Sequence, residues 1–200
     1  MAATSPDFIA DSDVLREAFA LASAAHDGQS RKDGRSPYIG HPTAVAERLT
    51  RAGAGEPVIA AALLHDVVED SDLTVGDVVE RFGVEVGELV AALTDDHTID
   101  DYEERKREHR DRVEEAGPQA AAIYAADKLV NVRDMRALYA DLGEAAAGRF
   151  KAPIDLRVEL WREDLEMLDR VVPRLAIVAE LRAELDGFEA ERPGMKLGHA

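Results

Sequence analysis

The sequence predicts an all-α fold of a single domain ending in a helical hairpin. Three observations carry this. Apolar residues recur at helical spacing along nearly the whole chain. Aromatic residues make up only 5% of the 200 residues, so leucine, alanine and valine must supply the core. No β-hairpin signal, internal repeat or low-complexity tract interrupts the pattern.

In chain order, Val14, Leu15, Ala18, Phe19, Leu21 and Ala22 outline a first helix, capped by Asp11 or Ser12 and stopping near Asp27-Gly28. The segment 28–37 is a polar loop rich in turn formers. Pro42 opens a second helix through about Ala52, and residues 58–69 form a third with a strongly apolar start. Thr74 and Asp77 resemble a capping box for a helix to Phe82, followed by another over 84–93. Residues 100–116 are so densely charged that they read as a solvated helix face held by i,i+4 pairs. Gly117-Pro118 ends that run, and 119–138 is helical. Segments 153–172 and 174–191 form the hairpin, hinged at Pro173.

Composition excludes several classes. There is no cysteine, which rules out a disulfide scaffold, a thiol nucleophile and a zinc–thiolate site. The first residues lack a basic stretch followed by an apolar one, and no window approaches ~18 uninterrupted apolar residues, so the expectation is a soluble, cytoplasmic chain with no membrane partner. A formal net charge of −17 repels a nucleic-acid backbone, so no polymeric nucleic acid is expected as a partner. Charge is unevenly spread, however. Residues 66–96 hold ten acidic side chains and one basic one, Arg81, whereas 26–51 hold Arg31, Lys32, Arg35, Arg48 and Arg51 against Asp27, Asp33 and Glu47. A cation site and a small-anion site can therefore lie side by side. Oligomeric state is not readable from these residues.

The chemistry concentrates in HDVVED. His65 and Asp66 follow an apolar stretch, where an imidazole and a carboxylate are costly to bury unless compensated. A divalent cation is the natural compensator. Glu69 and Asp70 lie four residues beyond His65 and Asp66, on adjoining strips of the same helix. His41, approached by Tyr38-Ile39, and Asp127, preceded by apolar residues, are also expected to face inward. Two histidines and two aspartates without thiolate suit Mn²⁺, Fe²⁺ or another borderline-to-hard ion. His26, His97, His109 and His199 are not proposed as ligands.

The segments GQSRKDGRSPYIGHP, AALLHDVVEDSDLT, RFGVEVGELVAALTDD and ADKLVNVRD, in this order, resemble the hydrolase domain of RelA/SpoT proteins, within the HD-domain metal-dependent phosphohydrolases. The small stand-alone hydrolases of that family are the most similar. The resemblance covers about residues 12–136; beyond them only helical character agrees, and no stretch is left for a synthetase or regulatory domain. It implies a helical HD-domain bundle spanning 1–200 and hydrolysis of guanosine 3′,5′-bis(diphosphate) to GDP, or of its 5′-triphosphate counterpart to GTP, with release of pyrophosphate. It makes His41, His65, Asp66 and Asp127 ligands of one Mn²⁺, and Glu69 and Asp70 the pair acting on the attacking water. It gives Arg31 and Lys32 to the nucleotide, Asn131 to the ribose, and Arg133 to the same motif. Lys106 and Lys128 are further candidates to spread phosphate charge, and read equally well as solvated surface charges. Val130 replaces an aromatic residue of the animal family members. Trp161 and Arg162 are candidates to complete the pocket, with Trp161 reading better as a core anchor. Two other functions remain open: a phosphatase for another nucleotide or NADPH using the same centre, and a non-catalytic nucleotide-binding module.

Overall fold

The computed structural model describes residues 6–192; His199 lies outside them. A 3₁₀ turn, Asp7–Ile9, leads into α1 (Asp13–Ala25), where Ser12 caps by accepting from the Leu15 amide at 3.1 Å. Helix α1 buries Leu15, Ala18, Phe19 and Ala22 and stops before Gly28, whose φ of 77° only glycine adopts readily. Helix α2 (Gly40–Arg51) begins just ahead of Pro42, which places His41 in its first turn. Helix α3 (Glu56–Leu64) is buried from Val58 onward and has no polar face. Such a helix is stable only when surrounded, and each fully buried leucine in it contributes about 2 kcal/mol.

The expected single helix over 58–69 is broken. Helix α3 ends at Leu64, His65 and Asp66 form a turn, and α4 (Val67–Asp70) follows as one short turn. The His65 ring takes up the Ala62 carbonyl at 2.9 Å where the regular helix stops. Helices α5 (Val75–Phe82) and α6 (Val84–Leu93) come next, and the capping box of Thr74 and Asp77 is present.

Helix α7 (Tyr102–Ala116) corrects the expectation of a solvated face. His109, Arg110 and Val113 are buried, and the Arg110 guanidinium donates to Asp164 Oδ1 at 2.8 Å. Helix α8 (Pro118–Leu142) is the central element and touches α2, α3, α6, α7 and the two closing helices. A 3₁₀ segment, Gly143–Arg149, then leads to α9 (Ile154–Val171) and α10 (Ala176–Glu191), the expected hairpin. Helix α10 is tied to α8 by ions, with Arg133 donating to Glu184 and Glu180, and Arg136 to Glu184. Among the described residues β structure is limited to one bridge, Ser30 with Pro37, and no helix is long and apolar enough to cross a membrane.

Candidate metal centre and adjoining cleft

The start of α2, the turn after α3 and the middle of α8 meet at one point. Nε2 of His41 lies 3.0 Å from Asp127 Oδ1 and 3.6 Å from Asp66 Oδ2. Nε2 of His65 lies 3.2 Å from Asp66 Oδ1 and 3.8 Å from Asp127 Oδ1. Ligand atoms of His41, His65 and Asp127 all fall within 4.8 Å of one another, and the three residues are buried. Asp66 faces the same point from the turn.

These residues fit a divalent cation. At His65 Nδ1 donates to the Ala62 carbonyl, which leaves Nε2 as the ring atom turned toward the cluster. That Nε2 is buried without a hydrogen-bond partner, an arrangement a metal would satisfy. Asp127 is braced by Asn131 Nδ2 at 2.6 Å and Lys128 Nζ at 2.9 Å, and Asp66 by the Tyr38 hydroxyl at 2.7 Å. Burial opposes ionisation of Asp127, but Lys128 and the two histidines hold it well below the usual carboxylate range. Burial likewise disfavours an imidazolium at His65, yet the Asp66 and Asp127 carboxylates lift it to about 9. Two nitrogens and two carboxylates with this surplus of negative charge suit a borderline-to-hard cation.

Glu69 and Asp70 stand beside this cluster. Burial, then the Asp66 charge, raises Glu69 to about 7, and its Oε1 accepts from the Asp95 amide at 2.5 Å. Asp70 is raised for the same two reasons, and its carbonyl accepts from Gln29 Nε2 at 2.9 Å, tying α4 to the loop after α1.

A cleft of about 550 Å³ opens from His41. Its lining holds Arg31, Lys32, Arg35, Arg149 and Arg157 against Asp33, Asp134 and Asp141, reversing locally the sign of the whole chain. Lys32 lies 4.6 Å over the Phe150 ring, and Arg157 lies 5.1 Å from both Phe150 and Trp161. Partial burial, then the neighbouring Arg157, Lys106, Arg31 and Lys151, lowers Lys32 to about 8. Arg31 is paired with Asp134.

The structure sorts the expected nucleotide contacts. Arg31, Lys32 and Asn131 line the cleft. Lys128 is buried against Asp127 and 4.1 Å over the Tyr124 ring, Lys106 contacts Asp95, and Arg133 is held by Glu180 and Glu184. Trp161 is a buried core residue, and Arg162 pairs with Asp186 and Glu189. Arg149, Phe150 and Arg157 escaped sequence reasoning. The spacing of Arg157 and Trp161 at i,i+4 was the available signal.

A family profile described as HD domain matches residues 18–147. A mouse protein named guanosine-3′,5′-bis(diphosphate) 3′-pyrophosphohydrolase MESH1 is 44% identical over 124 residues, 60% of this chain and 69% of the relative. The Escherichia coli bifunctional (p)ppGpp synthase/hydrolase SpoT is 34% identical over 186 residues, covering 90% of this chain but 24% of SpoT. Among solved structures, a metazoan ortholog of SpoT described as hydrolysing ppGpp superposes with a TM-score of 0.73 at 30% identity, covering 96% of this chain and 99% of its own.

Proposed function

The chain belongs to the HD-domain family and is a hydrolase, and we propose that it hydrolyses guanosine 3′,5′-bis(diphosphate) at the 3′ position, with Mn²⁺ as its metal. The observation that carries this reading is the junction of the buried His41, His65 and Asp127, with Asp66 facing them, and a basic cleft, in a chain whose net charge is −17. Relatives named for this activity support it.

His41, His65, Asp66 and Asp127 would hold the ion. When bound, a divalent metal supplies Lewis acidity toward a phosphoryl oxygen and toward water at neutral pH. Asp70, exposed at the edge of the cluster near Asp66, accepts a proton from the attacking water, and Glu69, anchored by the Asp95 amide, orients it. Arg31 and Lys32 bind the phosphates, Arg31 exchanging its bond to Asp134 for one to a phosphate oxygen, the geometry its planar fork prefers. Asn131 faces the ribose while its amide steadies Asp127. Phe150 and Arg157 form the far wall, against which a purine can stack. The water oxygen bonds to phosphorus, the bond from phosphorus to the 3′ oxygen breaks, and that oxygen takes up a proton from solvent and leaves as the ribose hydroxyl. GDP and pyrophosphate are the products, or GTP and pyrophosphate from the 5′-triphosphate substrate.

The test is pyrophosphate release from ppGpp and pppGpp, with phosphate release from NADPH alongside, each with and without Mn²⁺. Metal-dependent pyrophosphate release from the guanosine substrates is expected. Turnover confined to NADPH contradicts the substrate assignment, and binding without turnover of any of the three leaves a nucleotide-binding module instead.

A further inference from the structure

Asp95 is a buried carboxylate outside the metal cluster, on the segment between α6 and α7, and its side chain is only 7% exposed. Three side chains of α7 converge on it, the cations of Arg105 and Lys106 and the imidazole of His109, which burial holds toward its neutral form. The Lys106 ammonium contacts Oδ2, His109 Nδ1 lies 2.6 Å from Oδ1, and Arg105 Nε lies 3.8 Å away. The same helix makes three more hydrogen bonds, two to this segment and one to the end of α6. Arg112 donates to the carbonyls of Ala91 at 3.2 Å and Thr94 at 2.7 Å, and Arg105 Nη1 donates to Ile99 at 2.6 Å. What this clamp holds in place is the main-chain N–H of Asp95, which donates to Glu69 Oε1.

We infer that Asp95, Lys106 and His109 form a positioning unit for Glu69: the charged face of α7 fixes the Asp95 amide, and that amide fixes the Glu69 carboxylate beside the metal cluster. Burying an ion cluster of this kind adds little net stability, because desolvation offsets the attraction between its members. Its effect is geometric. A glutamate has three rotatable bonds, and an acid that orients water must be held within a few tenths of an ångström to act well. Lys106 thus serves the reaction without touching substrate, and the inference rests on the proposed hydrolysis for its kinetic arm alone.

The experiment combines kinetics on ppGpp with NMR of the Asp95 amide in wild type, Lys106→Met, Lys106→Arg, Asp95→Asn and Glu69→Gln, at about pH 8, where Glu69 is ionised. Loss of such outer support costs roughly 10- to 100-fold in activity. Lys106→Met and Asp95→Asn are expected to lower kcat by that factor with KM within about twofold and metal content unchanged. Lys106→Arg restores most of kcat. In the NMR arm, the Asp95 amide proton, deshielded by the Glu69 carboxylate, moves in Lys106→Met in the same direction as in Glu69→Gln. A raised KM with unchanged kcat in Lys106→Met overturns the inference in favour of direct phosphate contact. An unmoved Asp95 amide in that variant overturns it outright. Should Asp95→Asn not fold, Lys106→Met, at the partly exposed rim, decides alone. A wild type inactive on ppGpp counts against the proposed function, and the amide shift then decides the inference.

Discussion

Replacing Lys128 by methionine separates a structural cation from a substrate-binding one. The ammonium is buried, 2.9 Å from Asp127 Oδ2 and 4.1 Å over the Tyr124 ring. Methionine keeps the length of the side chain and a favourable contact with the ring, so the change is chiefly one of charge. Removing one member of a buried ion pair costs 3–5 kcal/mol in general; Asp127 keeps Asn131 at 2.6 Å and His41 at 3.0 Å, which places the loss near the lower end, about 3 kcal/mol. With a urea m-value of about 2 kcal/mol/M, the metal-free unfolding midpoint falls by roughly 1.5 M. The uncompensated Asp127 then gains more from a cation than it does in the wild type. Added Mn²⁺ therefore raises the midpoint of the variant by more than that of the wild type; a ligand at a hundredfold its Kd supplies about 2.7 kcal/mol. The assay is urea unfolding followed by circular dichroism, with chelator and with Mn²⁺, alongside KM for ppGpp. An unchanged metal-free midpoint together with a raised KM would give the ammonium to the substrate instead.

Three further outcomes follow from the same geometry. Lys32, lowered to about 8 by burial and its cationic neighbours, is expected to give kcat/KM for ppGpp a descending limb near pH 8; Lys32→Arg moves that limb out of range, and a flat wild-type profile from about pH 7 to 9.5 contradicts it. The folded state raises Glu69 to about 7 from a usual 4.5, so it binds the proton more tightly than the unfolded chain, and the Glu69 contribution to stability declines as pH rises through this interval. Glu69→Gln should therefore be more stable than wild type by about 2 kcal/mol at pH 8 in chelator, with the gap closing below about pH 4.5; an equal stability at both pH values contradicts the burial argument. Phe150→Ala removes the ring beneath Lys32 and Arg157 and should raise KM roughly 5- to 10-fold at unchanged kcat, the cost of one cation–π wall; an unaltered KM removes Phe150 from the nucleotide site.

The all-α fold and most helix limits were legible because caps and apolar spacing are local signals, as at Ser12, Thr74 and Gly117-Pro118. The break at His65 was not, since an imidazole taking up the Ala62 carbonyl leaves no trace in hydropathy. The inward face of α7 was hidden for a related reason: Arg110 and His109 are buried through Asp164 and Asp95, partners 54 and 14 positions away. At the candidate site, the histidines and aspartates stood out as ionisable groups in apolar stretches. Lys106, Lys128 and Arg133 were ambiguous because a lysine or arginine reads the same whether it faces phosphate or a carboxylate of its own protein. Phe150 and Arg157 reach the cleft only through the path of the 3₁₀ segment and α9, which no short-range pattern encodes.

A divalent-metal hydrolase centred on His41, His65, Asp66 and Asp127 should answer to one titration: the protein is stripped of metal and Mn²⁺ added back while ppGpp hydrolysis and bound metal are followed together, in wild type and in His65→Ala. No turnover is expected in the stripped protein, with activity returning in step with a single bound ion and both lost in His65→Ala. Full hydrolysis by the exhaustively stripped protein, or by His65→Ala without bound metal, would contradict it.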